Sequence, residues 1–121
     1  MQDILVPASP GELLDKITIL RIKSARMRDA AKLANVRHEL ELLERTWGSA
    51  RPEGVDVDAD VAALQAVNAR LWDIEDRIRD KEREATFDAE FIELARAVYV
   101  TNDERAAIKK RINTRLGSAL V

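Results

Sequence analysis

The residues best suited to chemistry sit in the last third of this chain. If that region is one helix, advancing 100° per residue, Asn102, Arg105 and Lys109 share a face with Leu94, Val98 and Ile112, where uncharged groups are expected. Counting the helical rise from the turns sets them level with Ser24 to Ala31 of a first helix and Asn68 to Leu71 of a second. Ser24 and Asn68 are polar on or beside their own apolar stripes, so they complete a candidate cluster. Arginine offers a planar fork and lysine a point charge, so such a pocket would hold a carboxylate or a phosphate. The competing reading starts from Thr101-Asn102-Asp103-Glu104, which has the form of a capping box. If Thr101 caps a new helix, the phase resets, and Arg105 and Lys109 lie along the surface with their charges in water.

Other chemistry is less well served. Helical pyrophosphohydrolases hold magnesium on paired acids, and the nearest match here is Glu41 with Glu44 followed by Asp73 with Asp76. Asp73 points away from the apolar stripe of its helix, so these four carboxylates do not converge. The chain has no cysteine and a single histidine, His38, which removes thiolate nucleophiles and cysteine-ligated metals. No spacing implies a cofactor or a metal, and the reading leans away from an enzyme. Arg21, Lys23, Arg26, Arg28, Lys32 and Arg37 form the densest basic stretch, but they are spread around the helix rather than along one groove. With 20 basic against 22 acidic residues and a net charge of -2, no positive field points to a nucleic acid.

Those side chains need helices to position them. The 121 residues are 46% hydrophobic and 35% charged, with 4 glycines and 3 prolines, a composition of one all-α domain spanning residues 1–121. The start lacks a signal peptide's basic and apolar regions, and the longest uncharged run, Val61 to Ala69, is far short of a membrane span. A cytoplasmic protein without membrane insertion is the expectation.

A short extended arm, Ile4-Leu5-Val6-Pro7, precedes Ser9-Pro10-Gly11-Glu12, where Ser9 caps a helix that Pro10 begins. An apolar stripe then runs through Leu13, Ile17, Leu20, Ser24, Met27 and Ala31, with Leu14, Ile19 and Ile22 outside it. A second stripe through Leu33, Val36, Leu40, Leu43 and Trp47 is rotated by roughly 170° from the first. Either the helix breaks between about Met27 and Asn35, or one helix buries opposite faces in its two halves. The absence of Gly and Pro between Gly11 and Gly48 favours the continuous helix.

Gly48 to Val57 reads as a surface loop, and a second helix runs from about Asp58 or Asp60 to Glu84, with Trp72 off its core stripe, either at the core's edge or in an intermolecular contact. Thr86-Phe87-Asp88 turns the chain, with Asp88 as N-cap and Phe87 stapled on Ile92. The third helix ends near Gly117. The expected fold is therefore an antiparallel bundle of three long helices, the third split or continuous at Thr101. Its first member, about 38 residues and 57 Å, outreaches partners of about 40 Å. That overhang and its two apolar faces point to a homodimer, with Leu14, Ile19, Ile22, Trp47 and Trp72 as candidate interface residues.

The run from Val6 to Lys23, VPASPGELLDKITILRIK, and the block Asn102 to Lys109 with Ile112-Asn113, resemble an uncharacterised family of small all-helical bacterial proteins, a domain of unknown function. The resemblance covers nearly the whole chain and transfers no catalytic residue. It implies a bacterial origin and an association with cell-surface polysaccharide genes. The function expected is that of a dimeric interaction protein, with a larger enzyme acting on surface glycans as a further partner. The alternative is the small anion-binding bundle built on Arg105, Lys109 and Asn102.

Overall fold

The computed structural model describes residues 1–118. Four helices succeed one another: α1 (Pro10–Arg26), α2 (Ala30–Ala50), α3 (Asp58–Arg83) and α4 (Ala89–Arg115), with no strand among the described residues. The all-α expectation therefore holds, but the bundle has four helices where three were expected.

The difference lies in the first helix, which is two. Met27 and Asp29 adopt extended backbone, and the Asp29 side chain accepts a hydrogen bond from the Lys32 amide at 3.0 Å, capping α2. An aspartate cap supplies a start signal that competes with helix continuation without any Gly or Pro. The reversal also explains the rotated stripe. Once α2 folds back along α1, Leu40, Leu43 and Trp47 approach the same core that α1 fills with Leu14 and Ile17. The two faces are opposite in sequence phase and meet in space.

The remaining elements follow the sequence closely. Ser9 accepts from the Glu12 amide, Pro10 opens α1, and Asp88 accepts from the Phe91 amide at 3.0 Å to start α4. Phe87 and Ile92 both stay largely exposed, and the Phe87 ring meets Phe91 edge-on at 5.2 Å. The α4 helix is continuous through Thr101, which is buried in it rather than capping a second helix. It stops with Gly117 at φ 65°, where the Ser118 amide reaches back to the Asn113 carbonyl. The loop before α3 is not wholly at the surface, because Val57 is buried in the core.

The core joins α1, α3 and α4 through Leu14, Ile17, Leu64, Val67, Ile108 and Ile112. Here α4 packs antiparallel on both α1 and α3, while α2, among the described residues, makes its helix contacts with α1 alone. None of the 21 residues of α2 is buried.

Candidate functional site

The polar centre of the molecule is built from α1 outward. Gly11, Asp15, Thr18 and Ile22 recur at steps of four and three, so one strip of α1 faces α4 and α3, and all four are buried. At Gly11 the helices nearly touch. A Cβ there would lie 2.6 Å from the Lys109 carbonyl oxygen and 2.9 Å from Asn113 Oδ1, and the Gly11 amide donates to that same Oδ1 at 2.7 Å. Glycine is required by this close approach.

One turn on, Asp15 is 1% exposed. Its Oδ1 accepts from Arg105 Nε at 2.9 Å and from Asn68 Nδ2 at 3.0 Å, while Oδ2 accepts from Arg105 Nη2, and Lys109 Nζ lies 3.8 Å away. This is the paired fork geometry that guanidinium and carboxylate favour. Asn68 spends its second N–H on Thr18 Oγ1 at 3.0 Å, and Thr18 donates to the Asp15 carbonyl at 2.8 Å. Burial pushes the Asp15 carboxyl upward, but the hydrogen bonds from Arg105 and Asn68 and the charges of Arg105 and Lys109 outweigh it and hold it below the ordinary carboxylate value. The hydrogen bond to Asp15 in turn raises Arg105 above its ordinary value against the opposing effect of burial.

Of the expected cluster, the structure thus brings Asn68, Arg105 and Lys109 together. Asn102 stands at its margin, its Oδ1 accepting from Arg105 Nη1 at 3.5 Å. Ser24 is not part of it; its hydroxyl donates to the Arg21 carbonyl at 2.8 Å. Sequence reasoning missed Asp15 and Glu12. Lys109 donates to Glu12 Oε2 at 2.6 Å, so each cation of the cluster already faces a carboxylate of α1. The amides at the start of α1 are also taken, Gly11 by Asn113 and Glu12 by Ser9, leaving no open anion cradle there.

The second feature is apolar. The arm leaves Ile4, Leu5 and Val6 at 75%, 93% and 75% exposure, and Leu42 of α2 is half-exposed. Between arm and helices runs a groove of about 760 Å³ lined by Leu5, Val6, Leu13, Leu43, Trp47 and Leu116. Arg51 lies over the Trp47 ring, 5.7 Å from its centre. Of the expected interface residues, Leu14 and Ile22 are core residues of the single chain, at 2% and 6% exposure, which removes them from any intermolecular face. Ile19, Trp47 and Trp72 are half-buried; Trp47 borders this groove, whereas Ile19 and Trp72 line a separate cavity between α1 and α3.

Among the described residues, no group of three or more His, Asp or Glu side chains could hold a metal, so Glu41, Glu44, Asp73 and Asp76 do not assemble. No helix among them is long and apolar enough to cross a membrane. Residues 4–121 match the family of unknown function DUF6165. No curated protein and no solved structure matches the chain.

Proposed function

We propose, from the premise that this chain belongs to the family of unknown function DUF6165, that it is a helical assembly module of the cytoplasm that works as a homodimer. The observation that carries this reading is α2, a helix of 21 residues without one buried residue. A helix with an apolar stripe gains its stability from covering that stripe. Here Leu33, Val36, Leu40, Leu43 and Trp47 are largely but not fully covered, Leu42 beside them is 48% exposed, and the apolar arm is almost bare. A second copy laid along α2 and the arm would complete both.

The Asp15 node supports a scaffold rather than a catalytic role. Its cations and carboxylate answer each other, which fixes α1, α3 and α4 in register and leaves no reaction assigned to them. On the resemblance alone, the larger partner we propose is a protein acting on surface glycans.

Sedimentation at micromolar concentration tests the dimer. The expected species has twice the 13.6 kDa mass of the chain. Leu5→Glu combined with Leu42→Glu should return it to a monomer with unchanged helicity, since both side chains are exposed in the single chain. A wild-type monomer at about 100 µM, well above a typical micromolar dissociation constant, overturns the reading.

A further inference from the structure

A small cavity of about 210 Å³ opens between α1 and α3, with α4 contributing to its lining through Arg105. Its walls are apolar: Ile19 and Ile22 from α1, Leu71 and Trp72 from α3. Arg26 sits over the Trp72 ring, 5.9 Å from its centre, and pairs with Asp73, which fixes that wall in place.

The polar groups are few, and they carry both signs. Asn68 is 5% exposed, and both of its N–H bonds go to Asp15 and Thr18, so its unpartnered Oδ1 is what it brings to the cavity. Arg105 gives Nε and Nη2 to Asp15, and Nη1 gives one N–H to Asn102 Oδ1 at 3.5 Å, which leaves its second N–H to donate. Lys23 and Glu75 also line the cavity, and neither side chain has a hydrogen-bond or ion-pair partner among the described residues. Glu75 acts on Arg105 only through space.

A pocket that is mostly apolar with a few convergent polar groups is the general form of a small-molecule site. At this volume it is smaller than a drug-sized site, so its ligand is correspondingly small. Two donors of positive charge, a free carboxylate and a free amide oxygen around an aliphatic and aromatic wall match one kind of molecule. We propose that this cavity binds a small apolar α-amino acid as its zwitterion. The ligand carboxylate meets Lys23 Nζ and Arg105 Nη1, the ammonium meets Glu75 and Asn68 Oδ1, and the side chain lies against Ile19, Ile22, Leu71 and Trp72. A phosphate would leave Glu75 opposed by like charge, and a simple amine would leave Lys23 and Arg105 unanswered. The proposal is independent of the dimer, since none of these residues borders the groove beside α2.

Titration of the full chain with L-leucine, followed by calorimetry and by the fluorescence of Trp72 in a Trp47→Phe background, tests it. Saturable binding with a dissociation constant below about 1 mM is expected, about tenfold tighter than that of 4-methylpentanoate, which lacks the ammonium, or isopentylamine, which lacks the carboxylate. Lys23→Met and Glu75→Gln should each weaken leucine by about tenfold while leaving the circular dichroism and melting temperature unchanged. Absence of saturable heat up to about 10 mM leucine overturns the proposal. So does leucine binding that both variants leave intact, or binding of glucose in place of leucine.

Discussion

At the scale of single residues, Asp15 carries the largest consequence. Its carboxylate lies almost wholly inside the protein, and Arg105, Asn68 and Lys109 surround it. Arg105→Ala leaves that charge buried without its partner, so we expect a loss of about 3 kcal/mol in stability, read from denaturant unfolding. The same group sets an acid limit. Because the folded carboxyl titrates below its unfolded value of about 3.9, its contribution is complete at neutral pH, begins to fall as the pH drops to that value, and is gone below the folded value. Melting curves from pH 7 downward should show this loss, and Asp15→Asn should flatten it. Gly11→Ala should cost about 1–3 kcal/mol, since its methyl would meet the backbone of α4 rather than a flexible side chain. Periodicity in α4 was enough to single out Arg105, Lys109 and Asn102. Asp15 was not legible in the same way, because a charged residue between Leu14 and Lys16 is ordinarily a surface residue. The signal was present in the spacing of Gly11, Asp15, Thr18 and Ile22, a second strip of α1 that points at α4 rather than at α2.

Among the elements, the approximate spans of α3 and α4 were legible from their apolar stripes and, for α4, from the Asp88 cap, whereas α3 starts at Val57 without a side-chain cap and the sequence leaves the continuity of α4 through Thr101 open. The break before α2 was not legible, because no Gly or Pro marks it and Asp29 ends one helix by beginning another. Asp29→Ala should therefore cost about 1 kcal/mol and lower the helical content around Ala30 to Leu33, measurable by amide chemical shifts. The turn after α3 carries a related strain. Ala85 sits at φ 51°, the left-handed position that closes α3 while the Thr86 amide bonds the Lys81 carbonyl, and it has a Cβ that this conformation resists. Ala85→Gly should raise stability by about 1 kcal/mol, visible as a higher melting temperature.

For the whole molecule, the four helices are unequal. Three share a core through Leu14, Leu64, Ile108 and their neighbours, and ion pairs such as Arg70 with Glu104 and Arg77 with Glu90 lace α3 to α4. These exposed pairs contribute little each, so half-molar salt should leave the melting temperature of the fold nearly unchanged. The homodimer reading from sequence rested on a helix too long for its partners. With that helix divided, the apolar surface left for a partner is that of the arm and of Leu42 on α2, a helix that among the described residues packs beside α1 alone.

That single attachment has a kinetic side. A segment held along one edge opens without disturbing the other three helices, so in deuterated solvent the amides of Ala30–Ala50 should be labelled well before those of α1, α3 and α4. Raising the protein concentration should slow that labelling if a neighbouring molecule clasps the same segment. The rate at which α2 takes up deuterium thus becomes a gauge of how often this protein is alone.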